Sequence, residues 1–136
     1  MHFTGVMKIM IIDDHELAAR SICRALREHT TVAETDAKAA LARLRSGEWF
    51  DAVLCDLRMP GMSGVEVLDE IRSWFGSQAP ILVLMTGADA STLTTTEAVL
   101  VKPFKKVELE AMLAVLVETR GETRMARTTR IPRVKA

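Results

Sequence analysis

Four times along this chain a short apolar segment stops at a charged or hydroxyl-bearing residue, and helix-forming stretches separate the segments. Residues 6–12 stop at Asp13 and Asp14, residues 52–55 at Asp56, residues 81–85 at Thr86, and residues 99–101 at Lys102. A fifth short stretch, residues 31–35, is rich in β-branched side chains. Between these segments the periodicity changes to that of a helix. Leu17, Ile22, Ala25, Leu26 and His29 share one helical spacing, and Val65, Leu68, Ile71 and Phe75 share another. Residues 37–44 are strong helix formers ending at Gly47, and a last helix is predicted over 105–118. Alternating strands and helices with short apolar strands imply an α/β fold, a five-stranded parallel sheet covered on both faces. In such a sheet ligands bind beyond the carboxyl ends of the strands. The closing residues Asp13, Asp14, Asp56, Thr86 and Lys102 are therefore expected on one rim.

At 136 residues the chain has room for one domain of ordinary size, and its 49% apolar and 26% charged residues suit a packed core. No apolar run approaches the ~18 residues of a membrane span, and the first residues read as a buried strand and not as a signal peptide. Cys23 and Cys55 have no CxxC spacing, which suggests core thiols in a reducing, cytoplasmic setting. The net charge of zero hides a division. Residues 1–118 carry 12 Lys+Arg against 17 Asp+Glu, net −5, and residues 119–136 carry six against one, net +5. The expected organisation is an extension over 1–6, a folded body over 7–118 and a flexible basic tail over 119–136.

Three carboxylates on one rim repel one another unless a cation offsets them. Hard oxygen ligands around an open face suit Mg²⁺, which keeps waters and accepts phosphate oxygens. Lys102 adds an ammonium and Thr86 a hydroxyl. Together these are the parts needed to transfer a phosphoryl group onto an aspartate nucleophile, Asp56. Read singly, each residue has a plainer role. The acid pair is a helix cap, Asp56 caps a loop, Thr86 ends a strand and Lys102 lies on the surface. Four coincidences at successive strand ends favour the joint reading.

The segments IIDDH at 11–15, LCDLRMPGMSGVEVL at 54–68, LMTG at 84–87 and LVKPF at 100–104 closely resemble the receiver domain of bacterial two-component response regulators, the CheY-like superfamily. The resemblance covers residues 7–118 and implies a doubly wound, flavodoxin-like strand order 2-1-3-4-5. It implies Asp56 as phosphoacceptor, supplied by a histidine kinase or a histidine phosphotransfer protein. Asp14 and Asp56 would hold Mg²⁺ directly, Asp13 through water, and Arg58 through its main-chain carbonyl. Thr86 and Lys102 would engage the phosphoryl group, and the bond from Lys102 to Pro103 would be cis.

Two departures from the family pattern stand out. Val99 occupies the position that usually carries a switching aromatic ring. Residues 88–97 include four threonines, so the fourth crossover helix is expected to be shortened or disordered. The last helix carries a core stripe of Leu109, Met112, Leu113 and Leu116 and a second apolar stripe of Val107, Ala111 and Val115, read either as covered by a loop or as a homodimer surface. No reader motif accompanies the basic tail, so nucleic acid is not expected as a partner. His15 is expected at an exposed helix start.

The expected function is a stand-alone phosphorelay receiver with no output domain, not a turnover enzyme, that switches protein partners. The receiver portion of a hybrid sensor kinase is the alternative within the family. An aspartate-nucleophile phosphohydrolase of the haloacid dehalogenase type would need an acid two residues after Asp56, where this chain has Arg58.

Overall fold

The computed structural model describes residues 5–87, 93, 95 and 97–128. The apolar segments form the five strands β1 (Lys8–Ile12), β2 (Thr30–Glu34), β3 (Ala52–Asp56), β4 (Ile81–Thr86) and β5 (Ala98–Val101). All neighbouring pairs are parallel, in the order β2-β1-β3-β4-β5. Every residue of β3 and β4 is buried, as is β1 apart from Lys8. Strands closed off by neighbours on both sides and covered on both faces have no solvated face, so their sequences run apolar without alternation. The edge strand β5 differs from expectation. Leu100 is buried, but Val101 is 48% exposed, because β5 has a sheet neighbour on one side only.

Among the described residues, three α-helices lie between strands: α1 (Glu16–Ala25), α2 (Ala37–Arg45) and α3 (Gly64–Phe75). Asp36 caps α2 by accepting from the Lys38 N–H. Ser63 and Glu66 form a reciprocal capping box at the start of α3, which fixes where that helix begins. The inward stripe of α1 is Ala19 and Ile22, continued by Leu26 in the following turn. Leu17, expected on the buried face, is 78% exposed. At 100° per residue it points roughly away from the stripe through Ala19. His29 also lies outside α1, and its Nδ1 accepts the Met7 N–H at 3.0 Å.

Residues 105–128 form a separate unit from 6–104. It holds α4 (Lys106–Thr128), which runs past the helix end expected at 118. Gly121 costs about 1 kcal/mol in a helix interior, but Arg120, Glu122, Arg124, Met125 and Ala126 around it are sound helix formers. Along α4, Leu109 and Leu113 are buried whereas Val107, Ala111 and Val115 are exposed, so the two stripes differ in kind. The expectations for residues 1–4, for the crossover residues 88–92, 94 and 96, and for 129–136 lie outside the described residues. Among the described residues, no helix is long and apolar enough to cross a membrane.

Candidate functional site

The strand order reverses direction between β1 and β3, so their carboxyl ends flank the topological switch point, where open α/β sheets hold ligands. The register brings the strand ends level, with Ile12 opposite Cys55, Asp56 opposite Met85 and Thr86 opposite Val101. Asp13 follows β1 directly and Asp56 is the last residue of β3. Thr86 ends β4, and Lys102 follows β5.

Asp13 is fully buried. Its Oδ1 accepts the His15 N–H at 3.0 Å at the mouth of α1, and its Oδ2 accepts Lys102 Nζ at 2.8 Å. The same ammonium lies 2.9 Å from Asp56 Oδ1, so one lysine bridges two carboxylates carried by different strands. One backbone hydrogen bond anchors that lysine to β4. The Lys102 N–H donates to the Thr86 carbonyl at 2.7 Å, and the bond from Lys102 to Pro103 is cis. Thr86 itself is buried.

Asp56 is held from behind. The Leu57 N–H donates to the Met85 carbonyl and the Gly64 N–H to the Leu57 carbonyl, each at 2.8 Å. A Cβ on Gly64 would lie 2.3 Å from the Asp56 carbonyl oxygen and 2.7 Å from Leu84 Cδ1. Only a residue without a side chain lets α3 start this close to the strand end bearing Asp56.

Burial is the largest influence on the Lys102 ammonium and works against its charge. The hydrogen bonds to Asp13 and Asp56 and their negative charges outweigh it, so the lysine pKa is raised. The Cys55 thiol is pushed far up by burial first and then by the charges of Asp56 and Asp13, which leaves it without thiolate character.

Asp14 sits beside the bridge. Its Oδ1 is buried and accepts no hydrogen bond, with His15 Nδ1 3.4 Å away. Asp13, Asp14 and His15 place potential ligand atoms within 4.8 Å of one another. Asp56 is not in that trio and joins the site through Lys102. A buried carboxylate oxygen without a partner, among further oxygen donors, fits a divalent cation.

Of the residues singled out in the sequence, Asp13 and Asp56 both contact Lys102, Asp14 follows Asp13 in the chain, and Thr86 is tied through its carbonyl to Lys102. Arg58 lies on the loop after β3 with an exposed side chain. His15 occupies the expected exposed helix start, yet its ring also faces the acids. Gly64 was not legible as a site residue, since its role is a contact with the main chain of Asp56. The Ser-x-x-Glu spacing at 63–66 was the local signal for where its helix starts.

A doubly wound α/β domain with two acids after its first strand, one at the end of its third and a bridging lysine after its fifth defines a distinct structural class. The family model of the response regulator receiver domain matches residues 9–114, and the chain belongs to that family. It is 34% identical over 118 residues to the two-component response regulator PhoP of Pseudomonas aeruginosa, covering 82% of this chain and 52% of PhoP. It is also 34% identical over 122 residues to the chemotaxis protein CheY-3 of Vibrio cholerae, covering 82% of this chain and 92% of that one. The chain thus spans about half the length of one relative and nearly all of another. Among solved structures, the response regulator TrrA of Thermotoga maritima, in complex with Mg²⁺ and BeF, aligns at 28% identity. The TM-score is 0.68, over 80% of this chain and 97% of that one.

Proposed function

We propose that this receiver domain accepts a phosphoryl group on Asp56 from a phosphohistidine donor in the presence of Mg²⁺, and that the modification changes which proteins the domain binds. The observation that carries this reading is the Lys102 bridge, 2.8 Å to Asp13 and 2.9 Å to Asp56. It places a positive charge between Asp56, at the end of β3, and Asp13 of the acid pair after β1.

In the transfer, an oxygen of Asp56 attacks phosphorus, an O–P bond forms, the N–P bond of the donor breaks, and the imidazole leaves. Lys102 holds Asp56 Oδ1, which leaves Oδ2 as the attacking atom. The ammonium then pairs with the incoming phosphoryl oxygens, and the Thr86 hydroxyl becomes a donor to them. Asp14 and Asp56 would hold Mg²⁺ directly, with Asp13 acting through water and the Arg58 carbonyl completing the set. The ion, when bound, offsets the charge on the transferring group. The TrrA complex supports the choice of ion by likeness. Arg58 supports a receiver over a turnover phosphohydrolase, because an exposed guanidinium cannot serve there as general acid and base.

The test is intact mass spectrometry of the full chain after incubation with a small acyl phosphate. A gain of one phosphoryl group that requires Mg²⁺ and is lost in Asp56→Asn is the expected result. An equal gain in Asp56→Asn overturns the reading.

A further inference from the structure

The imidazole of His15 has no part in the phosphoryl chemistry just described, yet it faces the one unpartnered buried oxygen of the site. Nδ1 is 3.4 Å from Asp14 Oδ1 and 3.7 Å from Asp13 Oδ1. No hydrogen bond joins Nδ1 to Asp14 Oδ1, which is buried and accepts none. Two donor atoms each about 2.1 Å from a common ion lie about 3.0 Å apart at a right angle and about 3.4 Å apart at the tetrahedral angle. The observed separation falls at the wide end of that window.

The backbone supports the arrangement. Asp13 Oδ1 accepts the His15 N–H at 3.0 Å, so the residue is anchored and only two side-chain torsions remain to be fixed on binding a metal. The two oxygens of Asp13 face different ways chemically, Oδ2 to the Lys102 ammonium and Oδ1 to the His15 side. The cation therefore need not displace the lysine to reach the imidazole. The ring is 77% exposed, so it can give up water for a metal without repacking the core.

We propose that His15 is an additional nitrogen ligand of the cation pocket, and that the pocket consequently takes borderline first-row divalent ions, Mn²⁺, Co²⁺ and Zn²⁺, through a mixed nitrogen and oxygen set. Imidazole suits these ions, whereas Mg²⁺ prefers oxygen and is served by the carboxylates and the Arg58 carbonyl without the ring. This rests on the reading of the acid cluster as a cation site and deepens it, by assigning a ligand and a selectivity.

The probe is the metal ion alone, added to the full chain at one fixed pH. Bound Co²⁺ reports a nitrogen ligand in its visible spectrum, and bound Mn²⁺ reports it as nitrogen coupling in electron spin echo experiments. In the wild type both signatures are expected. In His15→Ala they vanish, and affinity for Co²⁺ and Mn²⁺ falls at least about tenfold, the scale on which losing even an outer partner of a metal site acts, while Mg²⁺ affinity changes less than about twofold. His15→Gln, which restores an oxygen donor, recovers no nitrogen signature. Unchanged circular dichroism of both variants establishes that the fold is intact. If Asp14→Asn weakens every metal while His15→Ala alters neither spectrum nor selectivity, the cation site stands and the His15 assignment is wrong. If Asp14→Asn leaves all metal affinities unchanged, the cation-site reading itself fails and takes this assignment with it.

Discussion

Replacing Gly64 by alanine tests how the fold delivers Asp56 to the site. The added Cβ would sit 2.3 Å from the Asp56 carbonyl oxygen, 3.0 Å from the Asp56 carbonyl carbon and 2.7 Å from Leu84 Cδ1. Leu84 can yield by rotating, but the carbonyl belongs to the fully buried strand β3 and moves only if the strand or the start of α3 moves. Overpacking of this kind costs about 1–3 kcal/mol. Glycine to alanine at a compatible backbone recovers roughly 0.4–1 kcal/mol by restricting the unfolded chain. The clash is deep and two of its three atoms are main chain, so the net result is a loss of about 1–2 kcal/mol. Gly61→Ala is the control. Its Cβ meets nothing within 4 Å and its cost is confined to a φ of +83°, about 1 kcal/mol. Urea denaturation of both variants gives the stability. Binding of Mg²⁺ and phosphorylation by a small acyl phosphate give the consequence for the site. Gly64→Ala should impair both site functions, because the strand end carrying Asp56 shifts, and Gly61→Ala should impair them less. A Gly64→Ala protein as stable as the wild type with an intact site would refute the close-approach argument.

Three further outcomes follow from the same geometry. Lys102→Met leaves the fully buried Asp13 without its ammonium and should cost about 2–4 kcal/mol in metal-free buffer by urea denaturation. Added Mg²⁺ should restore part of that loss, and an unchanged midpoint would contradict the bridge. Arg72 grips the nearly buried Glu97 with two hydrogen bonds, Nε to Oε2 at 3.0 Å and Nη2 to Oε1 at 2.6 Å. Arg72→Ala should therefore cost about 1–3 kcal/mol, and Arg72→Lys should recover only part, since an ammonium lacks the planar fork; full recovery would show that charge alone matters there. Because the Cys55 pKa is raised by burial and by the neighbouring carboxylates, an alkylating reagent should modify the half-buried Cys23 and spare Cys55 in the folded protein, even on moving from neutral to mildly alkaline solution. Labelling of Cys55 at the rate of Cys23 would contradict that burial.

The sheet and the rim were legible because both rest on local pattern. A strand buried on two faces must be apolar throughout, so the polar residue that ends it marks the carboxyl edge, and Asp13, Asp56, Thr86 and Lys102 all proved to be such residues. What the pattern could not carry was set by neighbours distant in sequence. Val101 looks like any core valine until the sheet order makes its strand an edge. Leu17 shares a spacing with Ile22 and Leu26, yet the stripe that packs runs through Ala19, whose small size drew no notice. The helix α4 passes through Gly121, a residue whose penalty is modest and easily offset by good formers on both sides. The contacts of His15 and Gly64 are atomic ones, a ring nitrogen near two carboxylates and a missing Cβ beside a carbonyl. No periodicity records contacts of that kind.

The most direct measurement locates the phosphoryl group itself. The protein is incubated with a small acyl phosphate and Mg²⁺, reduced with borohydride, which converts an aspartyl phosphate to homoserine, and mapped by peptide mass spectrometry. Homoserine at position 56, absent without Mg²⁺ and sharply reduced in Lys102→Met, is the result predicted here. Homoserine at Asp13 or Asp14 with Asp56 unmodified, or labelling of Asp56 indifferent to both the metal and Lys102, would contradict the account.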